Sequence, residues 1–323
     1  MNARLARRAA GVVLALLWAA PLAAQDYPRG PLRMVIPWPP GGVTDTVARA
    51  MSAALSESFG RPVTPENRPG AAGTVGVAVV AKAAPDGLSL MMTDVPSLAI
   101  SATLYRTLPY DTLRDLEPVA LPARSPLVLV THPKFGVTTV AQLIERVRAQ
   151  PGKVSFASSG PGSITHLAAE RFMQDTGSRM LHVPYKGGGP ATVAVVGAES
   201  DIYFSCISAA VPHVKAGRLV NLGITSGKRS ALFPETPVVN ETIPGFDMGC
   251  NTGFFTTGGT PAPIVDRIHA EVMKAVAQPR IRELLAANLA DPAPYTRAEF
   301  RAHVAEEVRS WGAIVRAANL KVE

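Results

Sequence analysis

Only two cysteines, Cys206 and Cys250, occur among the 323 residues. They stand too far apart for a CxxC redox pair and lack the neighbours of a zinc site. Whether they bond is left open, since spacing does not fix the distance between Cα atoms. A chain this long builds a core without a disulfide. Aromatic residues make up 6% and charged residues 18%. No Lys/Arg run carries interleaved aromatics, so nucleic-acid binding is not expected. Beyond residue 24 no apolar stretch approaches the roughly 20 residues of a membrane helix.

Catalytic and cofactor signatures are missing as well. Ser158 follows Phe156 and Ala157, so the loop SSGPGS (158–163) is not a G-x-S-x-G nucleophile elbow. Gly160-x-Gly162 has Thr165 where a dinucleotide fingerprint needs its third glycine, and Gly227-Lys228 has no upstream P-loop glycine. His166 and Glu170 are four apart on an expected helix, but no HExxH motif or third ligand accompanies them, so no metal is expected. His132, His182, His213, His269 and His303 follow no triad pattern. No cofactor is expected.

What is present begins with a leader. Arg4, Arg7 and Arg8 precede the apolar run 11–22, and Ala23 and Ala24 follow it. That layout predicts a secretory signal over 1–24, cleaved near Ala24. Its removal lowers the formal charge from +7 to +4, because it takes three arginines and no acid. The remaining length suggests two domains.

Short apolar runs at 32–37, 88–93, 127–132, 154–158, 181–185, 201–205 and 219–225 read as strands. Helical patterns alternate with them, such as Val47–Phe59 stopped by Gly60, Val140–Ala149 opened by a Thr139/Gln142 capping box, and Ile164–Asp175 closed by Gly177. This alternation predicts an α/β fold of parallel sheets covered by helices on both faces. Three further helices, Pro263–Gln278, Arg280–Leu289 and Ala298–Ala318, are expected to return and cover the first sheet, the last opened by a Thr296/Glu299 box.

Three glycine-rich junctions follow strands directly: PWPPGGVTD (37–45), SSGPGSIT (158–165) and YKGGGPAT (185–192). Ligands of open α/β sheets bind at the carboxyl ends of strands, where helix N-termini offer free amides to an anion. A turn needs the same residues, so any single junction is weak evidence. Three in one chain point to an anion site. The alternative is a secreted serine-type hydrolase using Ser158, Ser159 or Ser163 with His166, which lacks an orienting third group.

In order along the chain stand IPWPPGGVTDTVAR, ENRPGAAGTVG, AAPDG, LPYDTLRDLEPV, PGKVSFASSGPGS, HVPYKGGGPA, GRLVNLGITSGKRS and GGTPAPIVDRIHAE. This series resembles the Bug-type periplasmic solute-binding receptors of tripartite tricarboxylate transporters, over essentially all of the chain after its leader. The resemblance implies a two-domain α/β flytrap without enzymatic activity, monomeric, with the ligand cleft between the domains. Domain 1 would comprise 25–124 and 246–323, and domain 2 would comprise 125–245.

The implied ligand is a small organic carboxylate, held largely by backbone amides. Its implied contacts are Pro40, Gly41, Gly42, Val43, Thr44 and Asp45 in domain 1 and Ser158, Ser159, Gly160, Ser163 and Thr165 in domain 2. Ala72, Thr93, Asp94, Ser205 and Cys206 would border the cleft. The implied partners are the transporter's membrane subunits or a sensor kinase ectodomain, and the implied location is the periplasm.

Three departures from the family pattern bear on the ligand. Pro161 stands where a polar residue is usual, Ser205-Cys206 replaces a Phe-Asp-like pair, and Asn251-Thr252 takes the place of an aromatic pair. Loss of an acid disfavours an ammonium-bearing ligand, and the polar pair favours a polar ligand over a purely aromatic one.

Overall fold

A computed structural model describes residues 27–41, 43–227, 229, 235–287, 290–293, 295–317 and 320. The leader 1–24, Gly42 and the expected helix ends at Leu289 and Ala318 lie outside them. Among the described residues no helix is long and apolar enough to cross a membrane.

The chain opens with β1 (Leu32–Ile36), α1 (Val43–Phe59), β2 (Val63–Asn67), α2 (Thr74–Ala81), β3 (Ser89–Asp94), α3 (Val95–Leu104) and β4 (Leu116–Arg124). A second series follows: β5 (Leu127–Thr131), α4 (Val140–Ala149), β6 (Ser155–Ser158), α5 (Ile164–Thr176), β7 (Leu181–Pro184), α6 (Gly188–Val196), β8 (Ile202–Cys206), α7 (Ile207–Lys215) and β9 (Val220–Ile224). The chain then returns through β10 (Thr252–Thr257), α8 (Ala262–Val276), α9 (Pro279–Ala287), β11 (Asp291–Pro292) and α10 (Arg297–Ala317).

Two sheets result, ordered β11-β4-β10-β3-β1-β2 and β7-β6-β8-β5-β9, each flanked by helices. Both are mixed, which corrects the expectation of parallel sheets. β10 runs antiparallel to β3 and β4, and β5 runs antiparallel to β8 and β9. The cause is the double crossing: β5 leaves the first sheet as the outgoing continuation of β4, and β10 re-enters it as the return. All seven strand expectations meet a strand. The unexpected β2 and β4 carry prolines that mask a strand pattern, Pro65 in β2, and Pro118 and Pro122 in β4. β2 is an edge strand, where a missing N–H is tolerated.

The helix signals act locally as read. Thr139 accepts from the Gln142 amide at 3.2 Å, while the Gln142 side chain returns to the Thr138 amide. Thr296 and Glu299 cap each other's amides at 3.2 and 2.8 Å. Gly177 closes α5 in the left-handed region at φ 61°, as a C-cap that a side chain would strain.

The last helix spans both halves of the molecule. Its Phe300 and Val304 pack with Val35, Met91 and Phe255 of the first sheet. Two to three turns later, Trp311, Ile314 and Val315 join Leu104 of α3 in a cluster with Leu129, Phe156 and Phe204 of the second sheet. Between these two sets stands Glu307, which accepts a hydrogen bond from the Trp311 indole. Burial pushes the Glu307 carboxyl up to about 7, against the lowering influence of Trp311 and Arg124. The folded form therefore keeps a proton that an unfolded Glu, with its ordinary value of 4.5, would lose. Stability from this group is full below about pH 4.5 and lost as pH rises through about 7, on the order of 2–3 kcal/mol. Urea unfolding between pH 5 and 8 should show this fall, and Glu307→Gln should flatten it.

Candidate functional site

A cavity of about 650 Å³ opens where the carboxyl ends of both sheets face each other. This lies within the size range of small-molecule sites. Helices α1, α5, α6 and α7 each bring a first-turn residue to its wall: Thr44, Ile164, Gly188 and Ser208. Their aligned peptide dipoles place partial positive charge there, and their first amides have no intrahelical partner. No Lys, Arg or His occurs among the described lining residues. An anion bound here is met by backbone and not by a cationic side chain.

Which amides are free follows from the local bonds. In the loop after β6 the Ser159 amide donates to Thr165 Oγ1 at 2.9 Å and the Gly160 amide to Ser158 Oγ at 3.1 Å. The Gly162 amide donates to His166 Nδ1 at 3.0 Å, the Ser163 amide to the Gly160 carbonyl at 3.2 Å, and Pro161 has none. Ser163 Oγ then caps the His166 amide. The loop thus satisfies itself, and the first-turn amides left over are those of Ile164 and Thr165. Gly162 sits at φ 73°, and a Cβ there would come within 2.3 Å of Leu104 Cδ2, so this loop lies directly against α3 of the other half.

The opening junction behaves differently from expectation. The Gly41 amide, read as an anion donor, instead donates to Asp45 Oδ2 at 2.9 Å. Asp45 is buried and also accepts from Arg49 at 3.0 Å and Asn67 at 2.8 Å. Burial raises its carboxyl, but the Arg49, Gly41 and Asn67 bonds outweigh this and hold it at about 2. Asp45 is an internal clamp on the loop that carries Pro40 and Thr44.

Of the residues singled out from sequence, Pro40, Thr44, Ala72, Asp94, Ser159, Ser163 and Cys206 line the cavity. Gly41, Asp45, Thr93, Ser158, Gly160, Thr165 and Ser205 are absent from its lining, and Gly42 and the Val43 side chain lie outside what the structure describes. Thr165 and Ser158 stand just behind the wall and order it. Of the three departures, Pro161, Cys206 and Thr252 reach the cavity, whereas Asn251 is buried beneath it. Cys206 and Cys250 are free thiols with their sulfurs 3.0 Å apart, both on the wall.

Sequence reasoning missed Trp38, Met92, Ser97, Ser101, Ser208 and Leu285. Among the described lining residues Asp94 is the only acid. One of its oxygens caps the Ser97 amide at 2.9 Å, and burial pushes its carboxyl above the ordinary range.

His166, the base of the hydrolase alternative, has both ring nitrogens turned to other groups, Nδ1 to the Gly162 amide and Nε2 to Glu170. Ser158 is fully buried, with Oγ 2.6 Å from His182 Nε2, and His182 stacks on His166 at 3.9 Å instead of on an orienting acid. Burial, helped by His166, holds His182 down at about 4. His166 itself pairs with Glu170 at 3.3 Å, and no group of three metal-ligating side chains exists among the described residues.

A family profile described as "Tripartite tricarboxylate transporter family receptor" matches residues 47–320. The chain is 36% identical over 307 residues to Protein BugT of Bordetella pertussis, covering 94% of each chain. Its structure is similar to that of Rpa4515 of R. palustris solved with adipate, at 29% identity and TM-score 0.79, over 92% of this chain and 99% of that one. It is similar also to the periplasmic binding protein BugD, at 28% identity and TM-score 0.75, over 92% and 100%.

Proposed function

Since the chain belongs to the tripartite tricarboxylate transporter receptor family, we propose that it captures a small organic carboxylate between its two domains and releases it unchanged. The observation that carries this reading is the convergence of helix N-termini from both sheets on one cavity, with no cationic side chain among its described lining residues. A carboxylate fits such a site because its charge is met by fixed amides that need no reorganisation. Burial raises the Asp94 carboxyl above its ordinary range, which lessens its repulsion of a bound anion.

Domain 1, residues 25–124 and 246–323, closes on domain 2, residues 125–245, as the ligand contacts both. After export and loss of residues 1–24, the monomer hands its ligand to the membrane subunits of a transporter or reports it to a sensor. A carboxylate panel scored by thermal shift tests the reading. A true ligand at 100 times its dissociation constant adds about 2.7 kcal/mol of stability. Conversion of that ligand by the purified protein, or no shift with any carboxylate, would count against it.

A further inference from the structure

The cavity exceeds what a carboxylate group alone needs, and its two ends differ in chemistry. At one end lie the first turns of α5, α6 and α7 with Ser159, Ser163 and Ser208. The other end is walled by Trp38, Val47, Met92, Ala123, Leu285 and Ala290, which belong to or pack on one apolar cluster of the first sheet. Resting on the carboxylate-receptor reading, we infer that this chain selects a monocarboxylate with an apolar alkyl or aryl body over a short dicarboxylate.

The polarity of the walls decides between the two classes. A second carboxylate placed against Met92, Ala123, Leu285 and Ala290 would lose its water among apolar side chains and gain no cation, because no Lys, Arg or His lines the cavity among the described residues. Asp94, the one acid among the described lining residues, offers such a group no charge to pair with. A methylene or ring placed in the same volume is transferred from water to an apolar wall, which strengthens binding by about fourfold per buried methylene. The adipate-bound relative shows that a dicarboxylate can occupy this architecture. In this chain the distal walls are built for the other choice.

The test is calorimetric titration of the purified full chain with butyrate, octanoate, 4-phenylbutyrate, succinate and adipate at one ionic strength. Octanoate and 4-phenylbutyrate should bind at least tenfold more tightly than adipate, with affinity rising about fourfold per methylene beyond butyrate. If adipate or succinate binds as tightly as octanoate, the inference is overturned while the carboxylate reading stands. If no acid of the panel binds the folded protein, both fall. Leu285→Lys brings an ammonium group to the apolar end and should shift preference from octanoate toward adipate. An unchanged preference in the folded variant would contradict the assignment of that end, and the parent series decides the matter if the variant does not fold.

Discussion

Ser163→Asp is expected to leave α5 folded and to weaken carboxylate binding about a thousandfold. Ser163 is the N-cap of α5, where its oxygen accepts from the His166 amide, and it lines the cavity. Aspartate caps as well as serine, and its charge suits a helix N-terminus. The bond from Ser163 Oγ to the Gly160 carbonyl, 2.7 Å long, is lost at a cost of about 1 kcal/mol. For the ligand the change is severe, because a fixed negative charge now occupies the seat meant for its own. Two unit charges about 4 Å apart interact by roughly 4 kcal/mol at an effective dielectric of 20, which corresponds to that thousandfold loss. Ser163→Asn keeps the cap without the charge and should bind far more nearly like the parent. Calorimetry with circular dichroism on both variants checks this. Equal binding by the folded aspartate variant would remove the α5 N-terminus from the site.

Trp311→Ala should lower the unfolding free energy by about 3–5 kcal/mol, the usual cost of emptying a buried Trp site. Trp311 is 4% exposed and lies where α10 joins the second sheet's core. Its loss opens a void between the halves and strips Glu307 of its indole partner. Stability totals of about 5–15 kcal/mol make this a large fraction. Urea midpoints of parent and variant at one pH measure it, and a loss below about 1 kcal/mol would mean that α10 does not tie the halves together.

Much of this was legible because the chain states local structure plainly. Capping pairs such as Thr296/Glu299 and stop signals such as Gly177 depend on residues a few positions apart, so they read directly. The three glycine-rich junctions do meet at one cavity, since strand ends and helix starts are fixed by the same residues. Loop bonding was not legible. PWPPGG reads as a set of open amides, yet the Gly41 amide is taken by Asp45, which Arg49 and Asn67 hold from one turn and one strand away. In the α5 loop, Ser158 and Thr165 consume amides, and the donors pass to Ile164 and Thr165 at the helix start. The apolar end of the cavity was hidden for a different reason. Trp38, Met92 and Leu285 lie on three separate elements and look like core in sequence, which they partly are. The Asn251-Thr252 pair pointed to a polar ligand, but Asn251 turns out to be buried and only Thr252 reaches the wall.

The most direct test of the central claim is a crystal structure of the protein with a tightly bound carboxylate from the panel. The account predicts the carboxylate oxygens within hydrogen-bond distance of the first-turn amides of α5 and of at least one other helix among α1, α6 and α7. Residues of both domains should touch the ligand, with no cationic side chain against it. A carboxylate held by an Arg or Lys side chain, or bound to one domain alone, would contradict it.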